Sequence, residues 1–189
     1  MVKVYGIVII PSREASNLSR ESSAFLATQR ETCFVLGTQE NVPHVSLYHF
    51  SAEEDVIEDV ITVMHNVLSI STSFSVQFDA CKLIDGRWIF ATYELGEQLL
   101  DLHQTVLDHI APLRTRGGEA DLKEDWYDAS EIRKENLELY GWSEVRSLYQ
   151  PHLTLTRLAK KTDESFLGTL PAQDFSFEVT KLGLYELGK

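Results

Sequence analysis

Cysteine is scarce in this 189-residue chain, which carries Cys33 and Cys81 and no C-x-x-C spacing. Two thiols cannot form the disulfide framework that staples small secreted folds. Both are expected as reduced core residues, Cys33 within Cys33-Phe34-Val35-Leu36 and Cys81 within a strand. Long apolar runs are missing too, and none approaches the roughly 20 residues that a membrane span needs. The β-branched opening, residues 1–10, has no distinct basic region and no A-x-A-like cleavage site, so it reads as a first strand. A cytoplasmic location is expected. Basic charge is in short supply, with 17 Lys and Arg against 29 Asp and Glu and a net charge of −12. Proteins that grip extended nucleic acid draw affinity from Lys and Arg displacing counterions. With no basic stretch beyond Lys160-Lys161, this chain repels polyanions, and a small nucleotide or an RNA end is the better partner. The six histidines form no H-x-x-x-H or H-E-x-x-H pattern, so neither a metal nor another cofactor is expected.

What is present is ordinary for a globular domain, with 43% hydrophobic and 10% aromatic residues. The length suits one substantial core or two small lobes sharing an interface. A strand over 2–10 leads to a helix over 19–30 and a second strand over 44–50. Ser51 with Glu54 resembles a capping box. Behind it, Val56, Ile57, Val60, Ile61, Met64, Val67 and Leu68 form one apolar helical stripe. Asp85-Gly86, flanked by strands over 74–84 and 87–93, is a type I′ hairpin signal. A helix over 96–113 buries Leu99, Leu102, Val106 and Ile110. His103 shares that face, satisfied by a neighbour, while His65 and His109 are solvent-side. Residues 114–149 change character, with Gly117-Gly118, an acidic cluster and a helix over 130–140. That segment is an insertion, or a lid whose Trp126, Tyr127, Tyr140, Trp142 and Tyr149 could stack on a base. A strand over 151–158, a short helix over 163–170 and a strand over 175–187 close the chain.

Two stretches read almost alike: Pro43-His44-Val45-Ser46-Leu47 and Pro151-His152-Leu153-Thr154-Leu155. Side chains alternate across a strand, so His44 shares a face with Ser46, and His152 with Thr154. Val45, Leu47, Leu153 and Leu155 then point into a core. A single H-x-S/T tripeptide carries little information; two copies with matching neighbours carry much more. Two such strands meeting across a cleft supply two imidazoles and two hydroxyls around one small anion, which suits phosphoryl chemistry. By the same alternation Tyr48 and Thr156 fall on the cleft face as substrate contacts, and Arg157 points the opposite way.

At these residues the chain resembles the 2H phosphoesterases, a family that includes RNA 2′-5′ ligase-like proteins and cyclic nucleotide phosphodiesterases. His152-Leu153-Thr154-Leu155-Thr156-Arg157 is close to its second motif, trailing Arg included. His44-Val45-Ser46-Leu47 matches the first, with Ser in place of the more usual Thr, while Tyr48-His49-Phe50 departs from the common continuation. The resemblance implies one bilobal α+β domain over 1–189: two pseudo-twofold lobes, each an antiparallel sheet on helices, with a central cleft. It implies His44 and His152 as acid and base and Ser46 and Thr154 as hydrogen-bond donors to the phosphate. Arg157 repeats a family position, and an ion pair with an acidic neighbour explains it about as well as a substrate contact. The expected activity is metal-independent hydrolysis of a 2′,3′-cyclic phosphate or 2′-5′ linkage by a monomer. The alternatives are a non-catalytic nucleotide or RNA-end binding module and 2′-5′ ligation.

Overall fold

The computed structural model describes residues 1–37, 41–70, 73–116 and 130–187. Among these residues eight strands and four α-helices follow in chain order: β1 (Val2–Ile9), α1 (Arg13–Gln29), β2 (Val45–Glu53), α2 (Ile57–Ile70), β3 (Phe74–Val76), β4 (Phe78–Ile84), β5 (Trp88–Tyr93), α3 (Glu97–Ile110), α4 (Glu131–Tyr140), β6 (His152–Arg157), β7 (Phe177–Val179) and β8 (Leu182–Leu187). Six strands form one antiparallel sheet in the order β4-β5-β6-β2-β1-β8, and β3 pairs with β7 in a small second sheet. The fold is α+β with antiparallel sheets, as expected.

The two motif strands, β2 and β6, are central neighbours, and each carries two more strands on its outer side. They are joined by a single paired position, Val45 opposite Leu153. The large sheet is therefore two three-stranded halves meeting at one seam. Ile7, Ile9, Val45, Leu47, Ile89, Ala91, Leu153 and Leu155 enter a core with Leu26 of α1, Val60, Met64 and Val67 of α2, and Leu99, Leu102 and Val106 of α3. Each fully buried aliphatic side chain contributes about 1.5–3 kcal/mol, so this face sets the register and the opposite face is left for polar groups.

Local chemistry moves several boundaries. Helix α1 starts six residues earlier than the apolar pattern suggests, because Ser12 Oγ accepts the Ala15 N–H at 3.2 Å as N-cap. Its Ser19 and Ser22 are buried without orphaning a hydroxyl, donating to the Ala15 and Leu18 carbonyls one turn back. Ser51 does not cap α2. It stays in β2, its carbonyl accepts the Thr115 N–H at 2.7 Å, and α2 begins after a short 3-10 turn without a side-chain cap. Asp85 and Gly86 both have positive φ, +52° and +70°, as a type I′ turn requires. The strand expected over 74–84 splits at Gln77 into β3 and β4, and the one over 175–187 splits into β7 and β8, with the pieces in different sheets. Cys33 is exposed rather than in the core, and Cys81 is half-buried, with burial pushing its thiol up to about 11.

Candidate active site

Each motif strand carries a bulge at the same place. Opposite β1, Ile7 pairs with Tyr48 but Val8 pairs with Ser46, leaving Leu47 as the extra residue. Opposite β5, Ile89 pairs with Thr156 but Phe90 pairs with Thr154, leaving Leu155 as the extra residue. An extra residue re-phases the alternation beyond it. Leu47 and Tyr48 are therefore both buried, as are Leu155 and Thr156, while His49 and Arg157 return to the face of Ser46 and Thr154.

This corrects two expectations that assumed unbroken alternation, those for Thr156 and Arg157, and limits what Tyr48 can present. Tyr48 does line the cavity on this face, but its side chain is largely buried: the ring stacks on Phe50 at 5.5 Å and the hydroxyl donates to the Tyr140 carbonyl. Thr156 is fully buried and donates to the Phe34 carbonyl at 2.7 Å. Arg157 does not point away; its guanidinium lies over the Trp88 ring, 5.0 Å from the centroid. Its Nε is buried and has no hydrogen-bond partner among the described residues.

The seam gives the motif residues their mutual placement. In the antiparallel register fixed by Val45 and Leu153, His44 falls across from Thr154 and Ser46 across from His152. The four polar residues thus form a diagonal set about a local twofold. Both imidazoles are held alike. His44 Nδ1–H donates to the Val42 carbonyl at 2.8 Å, and His152 Nδ1–H donates to the Gln150 carbonyl at 2.8 Å. A carbonyl oxygen can only accept, so Nδ1 keeps its proton and Nε2 is the atom free to gain or lose one. His152 also stacks on Phe90, with centroids 4.0 Å apart. Burial pushes both histidines below their ordinary pKa. For His152 the Gln150 hydrogen bond opposes that shift, the charge on His44 adds to it, and Glu144 opposes it weakly.

A cavity of about 490 Å³ opens on this face. Ser46, Tyr48, His49, Phe90, Thr92 and His152 lie on the sheet side; Lys82, Ile84 and Asp85 come from the β4–β5 hairpin; Arg133, Trp142, Glu144 and Tyr149 come from α4 and the chain after it. His44, Thr154 and Arg157 are not among the lining residues, although His44 and Thr154 neighbour Ser46 and His152 along and across the seam. Arg133 pairs with Glu144, so the third wall is cross-linked. Trp126 and Tyr127 lie outside the described residues. Among the described residues no group of three or more His, Cys, Asp or Glu is arranged to hold a metal ion, and no helix is long and apolar enough to cross a membrane.

The third wall is fastened to the first motif. His103 is fully buried, donates from Nδ1 to the Leu47 carbonyl at 2.9 Å, and accepts the Arg146 N–H on Nε2 at 3.0 Å. Its ring stacks on Tyr149 at 3.9 Å, and Tyr149 donates its hydroxyl to the Ser46 carbonyl at 3.1 Å. His65 and His109 are exposed, as expected. The residues that alternation missed, His49 above all, carry one signal in the sequence: His49 follows His44 by five positions, as Arg157 follows His152.

Two bulged strands thus pair histidine with hydroxyl across a local twofold. The sequence profile of the 2′-5′ RNA ligase superfamily matches residues 23–189, and the chain belongs to that superfamily. Its fold is similar to that of E. coli LigT solved with 3′-AMP, at TM-score 0.60 and 13% identity over 98% of this chain and 88% of LigT. TT0787 of Thermus thermophilus is similar at TM-score 0.63 and 16% identity, over 96% of this chain and 86% of that one. E. coli LigT has also been solved with NADP+, where the TM-score is 0.57 at 13% identity over 98% and 88% of the two chains. No curated protein matches the sequence.

Proposed function

We propose that the protein is a metal-independent phosphodiesterase that opens a 2′,3′-cyclic phosphate, or cleaves a 2′-5′ linkage, on a small nucleotide or an RNA end. The observation that carries this reading is the matched pair of imidazoles, each fixed through Nδ1 to the carbonyl two residues back. In hydrolysis of the cyclic phosphate, one Nε2 takes a proton from the attacking water as its oxygen bonds to phosphorus. The other Nε2–H gives its proton to the departing ribose oxygen, and the product is a nucleoside monophosphate. Each transfer is worth about 10²–10⁴ in rate. Repulsion between the rings favours the singly protonated pair, the state holding one acid and one base. Ser46 and Thr154 donate to the non-bridging oxygens, where negative charge is held.

The nucleoside would enter the cavity between Phe90 and the Trp142 wall, so that residues 130–149 act as part of the site within one 1–189 domain. The solved structures of E. coli LigT hold 3′-AMP, ATP and NADP+, and a cavity of about 490 Å³ is of the size that takes a small molecule. The net charge of −12 favours such a ligand over extended duplex. By microscopic reversibility the same groups would run the joining direction when 2′-5′ product is scarce. The test is incubation in EDTA with a panel of 2′,3′-cyclic nucleotides and 2′-5′ dinucleotides, with products resolved by chromatography. Turnover that persists in EDTA is expected. Binding of nucleotides without turnover of any substrate would replace the enzyme with a binding module, and rescue of a silent sample by a divalent ion would refute the metal-independent mechanism.

A further inference from the structure

The two motifs differ at their hydroxyl, and the difference has a physical consequence. The γ-methyl of Thr154 restricts χ1, so branching at its own Cβ steers the hydroxyl. Ser46 has no such restraint and rotates among three wells. A hydroxyl that must donate to a phosphate oxygen therefore needs another device at position 46. His49 is placed to supply it, with Nε2 3.1 Å from Ser46 Oγ.

The His49 ring is itself held on two further sides. It meets Trp142 edge-on, with centroids 4.4 Å apart and planes at 65°. On β1 its pairing partner is Gly6, where a Cβ would stand 3.2 Å from His49 Cδ2. A glycine inside a strand marks such a close approach. The bulge at Leu47 turns this ring onto the motif face, so its position is built into the strand.

We infer that His49 is a positioning residue for the reaction, acting through Ser46. Nε2–H donates to Ser46 Oγ, which leaves the single hydroxyl proton to point at a non-bridging phosphate oxygen. The opposite polarity would commit that proton to the imidazole and leave Ser46 nothing to donate. No covalent bond changes and no proton transfers in this step. The role rests on the phosphodiesterase reading and adds to it a residue that neither histidine–hydroxyl motif contains.

The experiment is a double-mutant cycle on a 2′,3′-cyclic nucleotide with wild type, His49→Phe, Ser46→Ala and the double variant, alongside His49→Gln. Phenylalanine keeps the ring against Trp142 and Gly6 but removes the nitrogen; glutamine keeps an N–H donor. His49→Phe should lower kcat about tenfold with KM little changed, and Ser46→Ala about 10–10³-fold. The double variant should match Ser46→Ala alone, and His49→Gln should recover most of what His49→Phe loses. Multiplicative losses in the double variant, or full activity in His49→Phe, would overturn the role. A measurement that needs no substrate runs beside it: the side-chain nitrogen resonances of 15N-histidine-labelled protein. Ser46→Ala should move the His49 Nε2 resonance, and an unmoved resonance overturns the inference even if the Phe variant fails to fold. A wild type that turns over with a multiplicative cycle removes His49 alone. A wild type without turnover on any substrate removes the phosphodiesterase reading beneath it.

Discussion

His103 should make the protein acid-sensitive in a way that one substitution removes. Burial pushes its pKa from 6.5 down to about 4, only partly offset by its hydrogen bond to Leu47. Because the folded value is the lower one, protons favour the unfolded chain. The stabilisation is complete above the unfolded value and is lost as pH falls through the window from 6.5 toward 4. At about 1.4 kcal/mol per unit, the full loss is about 3 kcal/mol, and about 2 kcal/mol of it is gone by pH 5. Replacing the group, as in His103→Leu, deletes this titration but orphans the Leu47 carbonyl and the Arg146 N–H, at roughly 1–3 kcal/mol each. The variant should therefore be less stable at pH 7 and lose less on acidification. Urea denaturation of both proteins at pH 7 and pH 5 measures the difference. His44 and His152 titrate in both proteins and cancel. Parallel losses between the two pH values would refute the assignment of His103 as a buried neutral bridge.

The proposed acid–base pair, His44 and His152, yields further expectations. His44→Ala and His152→Ala should each remove nearly all turnover, and the double variant little more, because groups acting as a unit are not additive; full activity in either single variant on a substrate that the wild type turns over would end the mechanism. Thr154→Ala should cost about 10–10³-fold in kcat, since it removes an oxyanion donor and no proton carrier, as measured by steady-state rates on the same substrate. The kcat/KM profile of the free enzyme should be a bell with both limbs on the acid side of ordinary histidine behaviour. Burial lowers both imidazoles, so the base stays unprotonated to lower pH and the acid gives up its proton earlier as pH rises. A bell centred above neutrality would contradict that sign.

The architecture was largely legible because its signals are short-range. Apolar spacing marked α2 and α3, Asp85-Gly86 marked its turn, and the repeated His-x-hydroxyl tripeptides marked the two central strands. The rest depended on partners distant in sequence. Nothing near Leu47 or Leu155 announces a bulge; the extra residue is visible only against β1 and β5. One uncounted residue in each strand was enough to exchange Tyr48 for His49 and Thr156 for Arg157 on the polar face. Ser51 has the local chemistry of a helix cap, but β2 continues through it and pairs it with Val4 of β1, a partner distant in sequence. The breaks after Val76 and Val179 were hidden for a related reason, since β3 and β7 leave the main sheet to pair with each other.

The diagonal arrangement at the Val45–Leu153 seam bears on regiochemistry. Two proton carriers exchanged by a local twofold present a cyclic diester with the same pair of groups whichever way round it sits. Under the proposed mechanism, they alone cannot choose whether O2′ or O3′ departs. That choice falls to whatever breaks the symmetry. Here it is broken at Phe90 against His152 on one side and at His49 against Trp142 on the other. The sugar's orientation is then dictated by where the base finds its stacking partner, and the identity of the product isomer becomes a property of the walls.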